Sequence, residues 1–145
     1  MSFESPETEL SARRTGMSFQ RTRLSADRTL MSVIRTSLSL IGFGFTIYQF
    51  FEKLKTAGTL SSAGAPRRFG TALVWLGSGM LVLGIAYHVR FMLGLRAERA
   101  RMKEEGLIHG ESRYPVSMTL LVALALLVIG VGAVVSITFN VGPFQ

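Results

Sequence analysis

The sequence contains no cysteine, and its acidic side chains are few beside the basic ones. Without cysteine the chain has no disulfide framework, no thiolate metal site and no cysteine nucleophile. Its 9 Asp and Glu against 16 Lys and Arg give a formal net charge of +7. The chain is nevertheless apolar, with 48% hydrophobic residues and a mean hydropathy of +0.38. This combination is more typical of a membrane protein with basic cytoplasmic loops than of a nucleic-acid-binding protein.

The short motifs of common enzymes are also missing. There is no phosphate loop, dinucleotide fingerprint, nucleophile elbow or zinc-protease helix. The two histidines, His88 and His109, each stand alone in the sequence, which argues against a metal site. Asp27 has no second carboxylate at a catalytic spacing. We therefore predict that the protein is not an enzyme and uses no metal or cofactor.

Three long apolar segments predict the fold. Residues 1–16 are polar and predict a disordered amino-terminal tail without a cleavable secretory signal. Residues 17–145 form the predicted membrane domain, with spans at about 31–51, 69–89 and 116–140, each near the length of about 20 residues that crosses a bilayer. We expect an all-α protein with three transmembrane helices, the first and second extended into the cytoplasm.

The basic residues predict an orientation. The amino-terminal segment and the second loop together hold twelve Lys and Arg, whereas the first loop holds four and the carboxy-terminal tail none. The positive-inside rule then places the amino terminus in the cytoplasm and the carboxy terminus on the periplasmic or extracellular side of the inner (plasma) membrane.

One side of the first helix is polar where a soluble coiled coil is apolar. Steps of three and four residues give a polar seam, and the opposite face is apolar. We interpret the apolar face as facing lipid and the polar seam as shielded from it. The seam is either the wall of a polar conduit in an oligomer or a packing surface for the glycine face of the second span, and packing is the more economical reading for one three-helix chain. The seam is Ser32, Ser39, Gly42, Thr46 and Gln49; the apolar face is Leu30, Ile34, Leu38, Ile41, Phe45 and Tyr48; the glycine face is Gly70, Gly77 and Gly84.

An Arg-Thr dipeptide recurs every seven residues in the same helix. This spacing stacks the three guanidinium groups on one face, where they suit phosphate groups. The alternative is that they anchor the helix to anionic lipid headgroups. Asp27 beside them predicts a structural ion pair, with Arg23 or with an arginine of another helix or subunit. The candidate anion-binding residues are Arg21, Arg28, Arg35, Thr29 and Thr36.

The stretch from Leu24 to Leu38 resembles the signature of a known family. It contains Leu24-Ser25-Ala26-Asp27-Arg28-Thr29-Leu30 and then Ile34-Arg35-Thr36-Ser37-Leu38. This pattern is similar to that of the YidH-like domain-of-unknown-function family of small three-span bacterial inner-membrane proteins. The family is similar in turn to the membrane domain of the vacuolar transporter chaperone complex, which makes and translocates polyphosphate. The resemblance implies the three-span fold and an arginine-lined oligomer, but no polymer synthesis, because the chain has no polymerising domain.

These observations predict a small integral membrane protein that forms a homo-oligomer. Its first helix would present Arg, Ser and Thr to anions such as phosphate, polyphosphate or anionic lipid headgroups, in a channel or transport-related role. The alternative is a non-conducting accessory or scaffold protein that packs against another membrane protein.

Overall fold

The computed structural model describes residues 5–59, 64–104 and 117–141. Regular structure in these ranges is entirely helical: α1 is Pro6–Thr56, α2 is Gly64–Glu104 and α3 is Met118–Phe139. All three are long and apolar enough to cross a membrane. The prediction of an all-α fold with three such helices is therefore confirmed. His109, which the sequence analysis treated as isolated, lies outside the described residues.

The helix α1 begins earlier than the sequence suggested. Pro6 opens it after Ser5, and Glu7 and Glu9 occupy the first turn, where carboxylates favour the positive end of the helix dipole. Glu9 also pairs with Arg13 one turn later at 2.6 Å. Residues 6–16, predicted to be a disordered tail, are therefore helical. The prediction was wrong because it weighed their polarity and not these helix-start signals.

The lengths of the helices show which of them extend beyond a bilayer. α3 has 22 residues, close to the length of one span, whereas α1 has 51 and α2 has 41. At 1.5 Å per residue, α1 is about 77 Å long, which is more than twice the thickness of a hydrocarbon core. Both long helices therefore project well past the membrane.

α1 and α2 approach closely along a row of glycines. A Cβ atom on Gly70 would lie 2.6 Å from the Gly44 carbonyl oxygen, and one on Gly84 would lie 2.6 Å from Val33 Cγ1. At Gly77 the nearest atom would be Ile41 Cγ1, at 2.9 Å. The missing side chains are what allow the two backbones to meet, as small residues do in membrane helix pairs.

The core lies between the apolar face of α1 and the other two helices. Leu30 and Ile34 pack with Leu81 of α2 and with α3 at one level, and Ile41 packs with Val74 and α3 at another. The interpretation that this face of α1 contacts lipid was therefore wrong for the single chain, because the face packs against α2 and α3. Leu38 alone departs from that arrangement, since it is exposed.

Candidate functional site

The polar seam lies on the side of α1 that points away from α2 and α3. Ser32, Ser39, Gly42 and Thr46 are exposed, and Gln49 is half-buried. The glycine face of α2 contacts the opposite side of α1, at Val33, Ile41 and Gly44 among others. The reading in which the seam packs against that glycine face was therefore wrong, and the described chain leaves this side of α1 largely uncovered.

Four hydroxyl groups on this side are bonded within α1 itself. Thr29 Oγ1 donates to the Ser25 carbonyl at 3.1 Å, and Thr36 Oγ1 donates to the Ser32 carbonyl at 3.0 Å. Deeper in the span, Ser39 and Thr46 make the same bond to the carbonyl four residues back. These groups are satisfied without a partner helix. They make the surface polar but do not by themselves require it to be covered.

The arginines on this side are a different case. Arg21, Arg28 and Arg35 are exposed, and the structure records no side-chain hydrogen bond or ion pair for them within the described residues. Arg35 follows Asp27 by eight residues, which places it about 12 Å further along the helix axis. Arg35 therefore lies inside the predicted span. Its guanidinium group reaches the lipid headgroups only if the side chain is extended, and otherwise it must contact an anion or another protein.

An apolar stripe continues the same side of α1 beyond the membrane. Leu10, Met17 and Leu24 repeat every seven residues and are 55%, 52% and 59% exposed. At about 100° per residue they lie within about 40° of Arg28 around the helix. Sequence reasoning missed this apolar stripe because it took residues 1–16, which include Leu10, for a tail, although the seven-residue spacing was visible. The outward side of α1 thus carries an exposed apolar stripe beside Arg21 where water is expected, and exposed polar residues where lipid is expected.

A polar cluster lies at one end of the membrane-spanning segments, where α1, α2 and the residue before α3 meet. Ser117 Oγ donates a hydrogen bond to Asp27 Oδ1 at 3.1 Å, and His88 Nε2 lies 3.7 Å from the same oxygen. His88 is only 3% exposed. The sequence indicated an arginine partner for Asp27 and treated His88 as isolated, since 61 residues separate the two positions in the chain. Only the packing of α2 on α1 brings them together.

A second polar cluster lies at the other end of the spans. Arg67 Nε is 2.8 Å from Glu52 Oε2, and Arg67 Nη2 donates to Tyr48 Oη at 3.2 Å. The guanidinium carbon also lies 5.2 Å from the centre of the Tyr48 ring. The hydrogen bond to Tyr48 raises the pKa of Arg67 above its already high ordinary value. Arg67 therefore keeps its charge at every physiological pH, and the cluster ties the end of α1 to the start of α2.

Tyr48→Phe is expected to lower the free energy of unfolding by about 0.5–1.5 kcal/mol, because it removes the hydrogen bond and keeps the ring under the guanidinium group. Since the pKa of Arg67 is raised, this stability is fully present below the ordinary pKa of arginine and is lost only above it. The decrease in the free energy of unfolding caused by Tyr48→Phe should thus be the same from about pH 5 to pH 9. Unfolding in mixed micelles measures it. Tyr87→Phe is the control, as Tyr87 is 65% exposed, and an equal loss there would contradict the assignment.

The two polar clusters are separated by the thickness of a membrane. Asp27 and Tyr48 are 21 residues apart on α1, and Arg67 and His88 are 21 apart on α2. At 1.5 Å per residue each separation is about 32 Å, close to the roughly 30 Å of a hydrocarbon core. Within the described residues no group of His, Cys, Asp and Glu is arranged to hold a metal ion.

Three apolar helices with polar clusters at both ends define a multi-pass membrane protein. The chain belongs to the family described as a domain of unknown function (DUF202), whose family model matches residues 21–140. This confirms the resemblance seen between Leu24 and Leu38, while the relation to the vacuolar transporter chaperone membrane domain stays a prediction. Comparisons with curated proteins and with solved structures gave no match.

Proposed function

We propose that the protein is a homo-oligomer in the inner (plasma) membrane, with its amino terminus in the cytoplasm and its carboxy terminus outside. In the oligomer the outward sides of the α1 helices face one another. Arg21, Arg28 and Arg35, with Thr29 and Thr36, then meet anionic groups of phosphate, polyphosphate or lipid. The observation that carries the proposal is the exposure of both the polar seam and the apolar stripe on one side of α1.

A second copy of the chain covers both parts of this side at once. The apolar stripe gains from leaving water, and Arg35 gains from leaving hydrocarbon. Copies inserted in the same orientation place Leu10 beside Leu10 and Arg35 beside Arg35, as in a parallel arrangement with cyclic symmetry. The seven-residue spacing of Leu10, Met17 and Leu24 is also that of a coiled-coil seam.

Such an assembly creates a site for anions. Guanidinium groups of several copies repel one another when they lie around one axis. An anion bound between them attracts each of them and offsets this repulsion. Phosphate oxygens suit the planar donor fork of arginine. The polar hydroxyls of the seam extend the same path deeper into the membrane, which supports a channel or transport-related role.

The assembly is testable by cysteine cross-linking, because the chain has no cysteine of its own. We expect Ser32→Cys and Ser39→Cys to form disulfide-linked dimers in the membrane. Leu83→Cys and Val128→Cys are matched controls, since both residues are 72% exposed but lie on α2 and α3. Cross-linking at the controls as strong as in α1, or no cross-linking in α1, would contradict the proposed interface.

Anion binding is tested with the purified protein in vesicles of zwitterionic lipid and with polyphosphate as the probe. Arg28→Gln with Arg35→Gln is expected to weaken binding by about tenfold or more, since two charge-assisted contacts per copy are lost. Arg68→Gln with Arg90→Gln removes the same charge from exposed positions of α2 and should leave binding nearly unchanged.

Phosphate flux into the same vesicles separates the two functional hypotheses. Flux that is lost in Arg35→Ala supports conduction. Binding without flux supports a non-conducting oligomer that holds anions. If neither binding nor flux depends on Arg28 and Arg35, and the α1 cysteines link to a different membrane protein, the accessory role replaces the proposal.

A further inference from the structure

A cavity of about 180 Å³ lies between the three helices beside the cluster of Asp27, His88 and Ser117. Phe19 of α1, Met92 of α2 and Leu120 of α3 contribute apolar walls from all three helices. The cavity lies on the far side of His88 from the membrane centre, where α1 and α2 extend past the spans. It is separate from the outward side of α1.

The buried imidazole of His88 is the first indication of a ligand. His88 lines the cavity and is 3% exposed, and neither ring nitrogen has a hydrogen-bond partner within the described residues. The distance of 3.7 Å to Asp27 is too long for a hydrogen bond. A neutral imidazole has one donor and one acceptor, and leaving such a group buried and unpaired is costly. A ligand atom that accepts the N–H would remove that cost.

The charged residues around the cavity indicate the sign of the charge on the ligand. Among the described residues that line it, Arg23 of α1 and Arg96 of α2 are basic and none is acidic. Two guanidinium groups and an imidazole are all donors to oxygen anions. The polar end of the ligand is therefore anionic, with the oxygens of a carboxylate or a phosphate.

The volume and the apolar walls of the cavity indicate the size of the hydrocarbon part of the ligand. An apolar cavity of about 150 Å³ in another protein holds a benzene molecule, so about 180 Å³ holds a hydrocarbon segment of roughly six to eight carbon atoms. The remaining walls include Val89, Leu93 and Leu95. We propose that this cavity binds a single-chain anionic amphiphile, with its hydrocarbon segment among the apolar walls and its carboxylate or phosphate held by Arg23, His88 and Arg96.

The test uses the full chain in discs of zwitterionic lipid with isotope-labelled histidine. The probes are octanoate and octyl phosphate. The chain has two histidines, so His109 serves as an internal reference for His88. At one fixed pH we expect a saturable shift of the His88 resonance with both probes and no comparable shift at His109. Octanol, which has the same chain without the charge, should bind about tenfold more weakly or worse.

Two variants test the geometry. Arg96→Gln is expected to weaken octanoate binding by about tenfold, because a charge-assisted contact is lost. Arg90→Gln is the matched control on the same helix, since Arg90 is exposed and does not line the cavity. Leu120→Trp fills the cavity and should abolish the shift. Because Arg96 is exposed, its variant should fold even if Leu120→Trp does not.

A further arm identifies the source of the amphiphile. If discs containing phosphatidylglycerol shift the His88 resonance without any added probe, the ligand is an anionic membrane lipid. If they do not, while octanoate still binds, the ligand is a small amphiphile from solution. The proposal is overturned if neither probe shifts His88, if octanol binds as well as octanoate, or if Arg96→Gln and Arg90→Gln bind octanoate equally.

Discussion

Gly70→Ala is expected to lower the free energy of unfolding by about 1–3 kcal/mol, the range found for overpacked sites in protein cores. The new Cβ atom would lie 2.6 Å from the Gly44 carbonyl oxygen and 3.0 Å from the Tyr48 backbone nitrogen. Both obstacles are backbone atoms, which cannot rotate away as a side chain does. The helices would therefore have to separate. In lipid this loses packing contacts that no hydrophobic effect between the helices replaces.

Other glycines of α2 provide a graded control. Gly79→Ala places its Cβ atom in open space and should leave stability unchanged or slightly raised, since alanine favours a helix over glycine. Gly84→Ala should fall between the two, because its obstacle is the Val33 side chain at 2.6 Å. Reversible unfolding in mixed micelles gives all three values. Equal effects at Gly70 and Gly79 would show that helix propensity, and not close approach, governs this row.

The row of glycines illustrates what the sequence predicts well. A spacing of seven places Gly70, Gly77 and Gly84 on one face of a helix whatever surrounds it, and the three spans follow from apolar length alone. What covers a face is a different question. The same periodicity that identified both sides of α1 was compatible with either side facing α2. Packing of Leu30, Ile34 and Ile41 against the other helices decided it.

The site residues divide in the same way. The positions of Arg28 and Arg35 on one line of α1 depend only on helix geometry and were predictable. The contacts of Asp27 and Tyr48 depend on residues 61 and 19 positions away in the chain, and no local pattern encodes such pairs. The helical state of residues 6–16 was missed for a third reason. Polar composition lowers the tendency to form a core, but it does not prevent a helix that starts with Pro6 from continuing into a span.

Both polar clusters oppose sliding of α1 and α2 along each other. The glycine row sets the distance between the two helices. At one end His88 of α2 lies 3.7 Å from Asp27 of α1, and at the other end Arg67 of α2 donates a hydrogen bond to Tyr48 of α1. Register in turn sets which residues of α1 share a level with the cavity and which lie in the span. The clusters thus connect the packing of the bundle to both proposed sites.

Asp27→Ala is expected to lower the free energy of unfolding by about 1–3 kcal/mol, because it removes the acceptor of the half-buried Ser117 hydroxyl. The Ser117 hydroxyl makes no capping bond to α3 and donates to Asp27 instead. The substitution also removes the side chain that lies 3.7 Å from Nε2 of the buried His88 ring. Asp27→Asn keeps an acceptor of similar size and should lose less. Glu9→Ala removes an exposed carboxylate of the same helix, paired only with Arg13, and should cost less, about 0.5 kcal/mol.

A double-mutant cycle between Asp27→Ala and Ser117→Ala isolates the hydrogen bond that joins α1 to α3. If the 3.1 Å contact contributes to stability, the two losses will not add, and the coupling energy will be about 0.5 kcal/mol or more. Additive losses would mean that Asp27 acts only through His88. In that case Asp27→Ala combined with His88→Ala should show the coupling, because α1 would then be held to α2 and not to α3 at this end. Additivity in both cycles would contradict the cluster as a stabilising contact between the helices.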